Sequence, residues 1–109
     1  VTPSIESDPI LRAFLERIAS VRPLIKRIVL FGSRARGTHR SDSDYDVLLV
    51  VSRKDDALLD VLYDAVMDVL LEHGRLVSLK VFPEREFSRL QSLRSPFMEH
   101  VNREGVLIG

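Results

Sequence analysis

The segment Ile28–Val51, IVLFGSRARGTHRSDSDYDVLLVV, constrains this chain more than any other. An apolar, β-branched run stops at Gly32-Ser33, and a second apolar run begins at Asp44-Tyr45-Asp46. Glycine lets the backbone turn sharply and approach another group closely. Ser33 adds a hydroxyl beside the N–H groups of the turn, a combination that suits a phosphate. Residues two apart on an extended strand share a face and lie about 6.6 Å apart. Asp44 and Asp46 therefore look the same way, with Tyr45 opposite. Like charges at that spacing repel in a poorly solvated site. A divalent cation relieves the repulsion and bridges to phosphate oxygens. A phosphate cradle and two metal-binding carboxylates thus fall on neighbouring segments, as phosphoryl or nucleotidyl transfer requires. The bland alternative is a polar hairpin turn between two core strands, with both aspartates solvated.

The 109 residues are expected to form one domain, residues 1–109. A chain of this size buries roughly 60–70% of its unfolded surface, enough for one core. Sixteen Lys and Arg balance sixteen Asp and Glu. That neutrality speaks against direct, sequence-blind nucleic-acid binding, which normally shows a basic excess. The charge is local instead: Arg34, Arg36 and Arg40 precede Asp42, Asp44 and Asp46. The absence of cysteine excludes disulfides and zinc thiolates and fits a cytoplasmic protein. No apolar run reaches membrane-spanning length, so no membrane association is expected.

Val1–Ser7 reads as a loose terminal arm. Asp8-Pro9 is a helix start, a carboxylate cap followed by proline at the first helical position. Ile10, Phe14, Ile18 and Val21 recur at helical spacing, and Pro23 is expected to end that helix. Ile25–Phe31 is a strand, followed by a short helix or turn over Ser33–Gly37 and a polar loop over Thr38–Ser43. Tyr45–Val51 is almost wholly apolar, which predicts a central strand covered on both faces. A long helix starts at Asp55-Asp56 and closes at His73-Gly74. Leu76–Phe82 is a third strand. A helix follows Pro83, another starts at Ser95-Pro96 with Phe97, Met98 and Val101 inward, and Val106–Ile108 is a short edge strand. Strands mixed with amphipathic helices predict an α/β (α+β) fold, a small sheet with helices packed against it.

The Gly-Ser turn followed by Asp-x-Asp resembles the signature of the polymerase-beta-like nucleotidyltransferase superfamily. Within it, GSRARG and SDYDVLLVV resemble the minimal nucleotidyltransferases, small proteins often paired with a HEPN-domain partner. The resemblance implies a mixed sheet of three or four strands with the active site at its mouth. It implies that Gly32 and Ser33 bind the triphosphate of a nucleotide, most simply ATP, and that Asp44 and Asp46 are the catalytic carboxylates holding Mg²⁺ or Mn²⁺. Arg34 and Arg36 alternate about Ala35, so only one of them can point at the phosphates, and the alternative is that both are solvated or paired with the nearby aspartates. Arg36 is the candidate, and Arg34 is expected to be solvated or paired with an aspartate. Asp42 is read as a loop or capping residue, and His39, His73 and His100 as surface or capping residues. A Walker-type loop is excluded, because no lysine follows Gly37-Thr38-His39.

One departure divides the functional reading. Active members of the superfamily usually carry a third carboxylate on a later strand. Here the matching strand reads LVSLKVFP, and the expected position falls on Ser78. Serine is no general base near neutral pH. Glu84 and Glu86 lie beyond Pro83 and read as helix-start charge. Ser78 is expected to face the aspartates, with Leu76 and Lys80 on its side and Val77, Leu79 and Val81 in the core. Two readings stay open. One is a metal-dependent transferase moving a nucleoside monophosphate to a hydroxyl, such as a tyrosine of a HEPN toxin. The other is a catalytically weak nucleotide-binding antitoxin or partner-binding module. Apolar C-terminal segments would also suit a homo-oligomer.

Overall fold

The computed structural model describes residues 7–38, 40 and 43–109. The terminal arm before Ser7, His39 and Asp42 lie outside the described residues. Helix α1 (Pro9–Arg17) begins where expected: the Asp8 carboxylate accepts from the N–H groups of Ile10 and Leu11 at 2.9 and 3.2 Å. It ends earlier than the periodicity predicts. The chain passes from Ile18 into a 3₁₀ segment, Ala19–Leu24, that contains Pro23. An α-helix carried through Pro23 would lose a donor and clash with the preceding turn. The tighter winding avoids this, with the Val21 N–H reaching back three residues to Ile18. Ile18 stays fully buried.

Four strands form one mixed sheet. β1 (Ile25–Phe31) pairs antiparallel with β2 (Tyr45–Val51), and β2 pairs parallel with β3 (Val77–Pro83). β4 (Val106–Leu107) lies antiparallel on the far side of β1, giving the order β3-β2-β1-β4. The β1–β2 register slips between Ile25 and Arg27. This bulge turns Ile25 and Ile28, three residues apart, into the same core.

Between the strands lie α2 (Ser33–Arg36), α3 (Asp56–His73), α4 (Glu84–Ser92) and α5 (Pro96–Glu104). Asp55 caps α3 through the Leu58 N–H, and Gly74 closes it at φ 69°. Ser95 caps α5 through the Met98 N–H. None of these helices is long and apolar enough to cross a membrane.

The helices cover both faces of the sheet. One face presents Tyr45, Val47, Leu49 and Val51 to α1 and α3, where Phe14, Leu62 and Val69 close the main core. The other presents Leu48 and Val50 to α4 and α5, where Phe31, Phe87, Met98 and Val101 form a second cluster. β2 is therefore central and covered on both sides, as its apolar run predicts. Val77 and Val81 are buried and Leu79 half-buried against the main core. Ser78 and Lys80 alternate with these residues and fall on the opposite face.

A side-chain bond ties the start of α1 to the start of β2. The Tyr45 hydroxyl donates to Asp8 Oδ2 at 2.8 Å. Burial and this acidic partner push the Tyr45 pKa up to about 12. The unfolded phenol ionises near 10, so the folded state holds the proton longer. The stabilisation is complete below about pH 10 and is lost as pH rises through the folded value. Alkaline unfolding followed by circular dichroism should show stability declining above about pH 10. Tyr45→Phe should flatten that decline while costing about 0.5–1.5 kcal/mol at neutral pH.

Candidate active site

The site forms where β1 ends and β2 begins. At Gly32 the backbone takes φ 75° and ψ −160°, a conformation that side-chain-bearing residues rarely adopt. Space demands glycine as well, because a Cβ there would collide with Oδ2 of Asp46 and sit 3.2 Å from its Cγ. The Asp46 carboxylate therefore rests directly on the turn. The Gly32 carbonyl accepts from the N–H groups of Ala35 and Arg36 at 3.1 and 3.2 Å and winds the turn into α2. Ser33 opens α2, where the first N–H groups precede the helix's own bonding pattern.

Asp46 is half-buried and lies on the face of Leu48 and Val50, opposite the buried Tyr45. Asp44, just before the strand, is exposed. Burial raises the Asp46 pKa, and the Asp44 charge raises it further. Lys80 and Arg36 act in the opposite sense. Asp44, Lys80 and Arg36 thus all lie close enough to act on Asp46. The sheet register sets Ser78 directly beside Asp46, with Phe31 as Asp46's partner on the other side. Ser78 shares the face of Asp46, as the alternation predicts.

Arg36 donates to Glu104 at the end of α5 (2.9 Å), and Glu104 is also 3.2 Å from His100 Nε2. The Arg36 hydrogen bond holds the Glu104 carboxyl below its usual range. Arg34 takes a structural place: its Nε and Nη2 donate to the Ser43 carbonyl, and its guanidinium lies 4.1 Å from the Tyr45 ring centroid. These contacts brace the approach to β2. Glu84 and Glu86 sit in the first turn of α4, as helix-start charge. His73 is the last residue of α3. Sequence reasoning assigned no role to Glu104 or Lys80. Lys80 was traceable, since it lies two residues beyond Ser78 on one face. The Arg36–Glu104 contact spans most of the chain and left no local signal.

Among the described residues, no three His, Cys, Asp or Glu gather where they would hold a metal ion. Two carboxylates in mutual repulsion, one of them half-buried, are still a fitting donor set for Mg²⁺. That ion is usually held by one or two carboxylates, with waters and substrate phosphates completing its shell.

The raised Asp46 pKa gives a signed prediction. A carboxyl whose folded pKa exceeds its unfolded value contributes stability at acid pH, and that contribution is lost as pH rises through the folded pKa. At neutral pH the ionised pair therefore strains the metal-free protein. Asp46→Asn should raise the metal-free melting temperature measured at pH 7. Added Mg²⁺ or Mn²⁺ should raise that of the wild type but not that of the variant.

Comparison with known proteins bears on the family and the fold. The family model for the nucleotidyltransferase domain matches residues 11–101. A candidate protein adenylyltransferase of Methanocaldococcus jannaschii is 34% identical over 84 residues, covering 77% of this chain and 78% of its own. Among solved structures, a candidate nucleotidyltransferase from Sulfolobus solfataricus superposes with a TM-score of 0.56 at 24% identity, covering 95% of this chain and 80% of its own. A toxin–antitoxin structure with AMP-PNP gives 0.58 at 16% identity, covering 90% and 71%. A variant of the MntA–HpeT toxin–antitoxin pair gives 0.56 at 14%, with the same coverage. The last three likenesses speak to the fold. The family match and the M. jannaschii relative go further: this chain belongs to the nucleotidyltransferase domain family.

Proposed function

We propose that this chain is a minimal nucleotidyltransferase that binds ATP with Mg²⁺ or Mn²⁺ and transfers AMP to a hydroxyl of a protein partner. The observation that carries the reading is the Asp46 carboxylate resting on the Gly32 turn. A triphosphate cradled there lies against the carboxylate pair. Ser33 donates its hydroxyl and backbone N–H to phosphate oxygens. Arg36 exchanges part of its contact with Glu104 for a phosphate oxygen, and Lys80 adds positive charge from the neighbouring strand. When bound, the divalent cation neutralises Asp44 and Asp46 and polarises the phosphate oxygens.

The acceptor oxygen then attacks the α-phosphorus. The bond to the bridging oxygen breaks, and pyrophosphate leaves. Ser78 cannot take the acceptor's proton, so the proton passes to water. That favours an acceptor acidic enough to ionise without help. A tyrosine phenol, with a pKa near 10, meets the need far better than an aliphatic hydroxyl. The M. jannaschii relative bears the name of a protein adenylyltransferase, and neighbours in fold come from toxin–antitoxin pairs. Both support a protein acceptor, and a HEPN-type toxin is the partner that the GSRARG and SDYDVLLVV motifs suggest. A cytoplasmic location follows from that role. A second reading, a nucleotide-binding antitoxin with little turnover, is favoured by one observation: Ser78 stands beside Asp46 with no acidic residue on β3.

Two measurements check this proposal. In isothermal titration with Mg²⁺-ATP, Ser33→Ala should lose about 1.5–3 kcal/mol, one charge-assisted hydrogen bond. Absence of millimolar wild-type affinity would refute the nucleotide reading. In an assay of labelled AMP incorporation into the HEPN partner, Ser78→Asp should accelerate transfer. A positioned general base typically contributes about 10²–10⁴-fold. Fast wild-type turnover that Ser78→Asp leaves unchanged or abolishes would show that the missing carboxylate does not limit the reaction.

A further inference from the structure

A second polar cavity lies on the same face of the sheet, at the opposite end of β2 from Asp46. It is an open bowl of about 780 Å³ between the start of β1 and the α4–α5 corner. Val50 and Phe87 form its floor. Asp46 and Val50 are four residues apart on one strand, so the two sites are separated by about 13 Å. A chain with no net charge presents three cations here, Lys26, Arg27 and Arg94, against one carboxylate, Glu84.

Two backbone features gather these cations. Consecutive residues on a regular strand point to opposite faces. Lys26 and Arg27 nevertheless both line the cavity, because the β1 bulge falls between Ile25 and Arg27. Bulges re-aim side chains in this way and occur often beside functional sites. Arg27 then lies 6.0 Å from the Phe87 ring centroid. The second feature is Arg94, which has φ +50°, the only positive φ on a non-glycine residue among those described. The corner between α4 and α5 calls for glycine or asparagine at such a position. An arginine held there against that preference sits at the cavity wall. Strained backbone of this kind clusters at ligand sites. The wall is also stiffened, because Gln91 and Asn102 exchange two amide hydrogen bonds at 2.8 and 2.6 Å across α4 and α5.

We infer that this cavity is a second anion site, separate from the nucleotidyltransferase centre, and that it takes a small ligand carrying two or more phosphate groups. Its volume lies in the range of small-ligand sites, about 300–1,000 Å³. Three cations spread around one bowl suit a multiply charged anion better than a single carboxylate. Two of them are guanidinium forks, which match phosphate oxygens in pairs. Hydroxyls at Ser88 and Ser92 add polar groups at the rim.

The test is titration of the whole chain with pyrophosphate and with ADP in metal-free buffer at low salt, read by calorimetry and amide NMR shifts. Without a divalent cation the Asp44–Asp46 pair repels both probes, so the nucleotidyltransferase centre stays silent. Saturable binding is expected, with shifts at Lys26, Arg27, Ser88 and Arg94. Equal affinities would assign recognition to the phosphates alone, and tighter ADP binding would assign it to a nucleotide; either supports the site. Arg94→Gly should weaken binding about tenfold, the loss of one charge-assisted contact. It should do so without lowering the melting temperature, since glycine accepts the left-handed backbone. Lys26→Gln should weaken binding in the same sense. No saturable binding, equal binding of citrate, or full affinity in Arg94→Gly and Lys26→Gln would overturn the inference. So would shifts confined to Gly32–Arg36, which would place the anion at the nucleotidyltransferase centre.

Discussion

The contact between the Gly32 turn and the Asp46 carboxylate is the constraint around which the site is arranged. It requires glycine twice over, once for the backbone angle and once for the space the carboxylate occupies. It also requires β1 and β2 to lie side by side in one register, so that Asp46 reaches the turn. The paired apolar runs that secure this register form the inner strands of the sheet. Helices on both faces then fix those strands in place. The Asp8–Tyr45 bond and the Arg34 guanidinium over Tyr45 anchor the start of β2 from two sides. Asp46 is thereby held half-buried and next to Asp44, a strained position that a divalent cation would relieve.

Much of this was legible in the sequence, because the signals are local. Glycine after an apolar run, aspartates two apart, and capping residues at Asp8, Asp55 and Ser95 all act within a few positions. The bounds of β1 and β2 follow directly from their apolar runs. The end of α1 was less legible, since apolar spacing continues through Ile18 and Val21 while the backbone tightens ahead of Pro23. Side-chain contacts made by the later helices left no local signal. Arg36 and Glu104, or Gln91 and Asn102, meet only because the helices fold back over the sheet. The bulge at the start of β1 is likewise a property of pairing, not of the Ile-Lys-Arg-Ile stretch itself.

Ser78 separates what the architecture provides from what efficient catalysis needs. The fold delivers the position: β3 runs parallel to β2, and Ser78 stands beside Asp46 on the shared face. The chemistry at that position is a hydroxyl rather than a carboxylate, and the nearby charge on β3 is the positive one of Lys80. Under the proposed function, such a site holds a nucleotide while lacking a group on β3 to take a proton from the acceptor. An acidic acceptor such as a tyrosine, delivered by a bound partner, is the arrangement most compatible with that chemistry.

The proposed function requires a single cation–nucleotide complex between the Gly32 turn and the Asp44–Asp46 pair. Paramagnetic relaxation by Mn²⁺-ATP, measured on the backbone amides, tests it most directly. One Mn²⁺ per nucleotide is expected, with strong broadening at Gly32–Arg36, Asp44–Asp46 and Ser78 and little at Lys26 or Arg94. Broadening centred elsewhere, or none at Gly32 and Asp46 under saturating Mn²⁺-ATP, would contradict it.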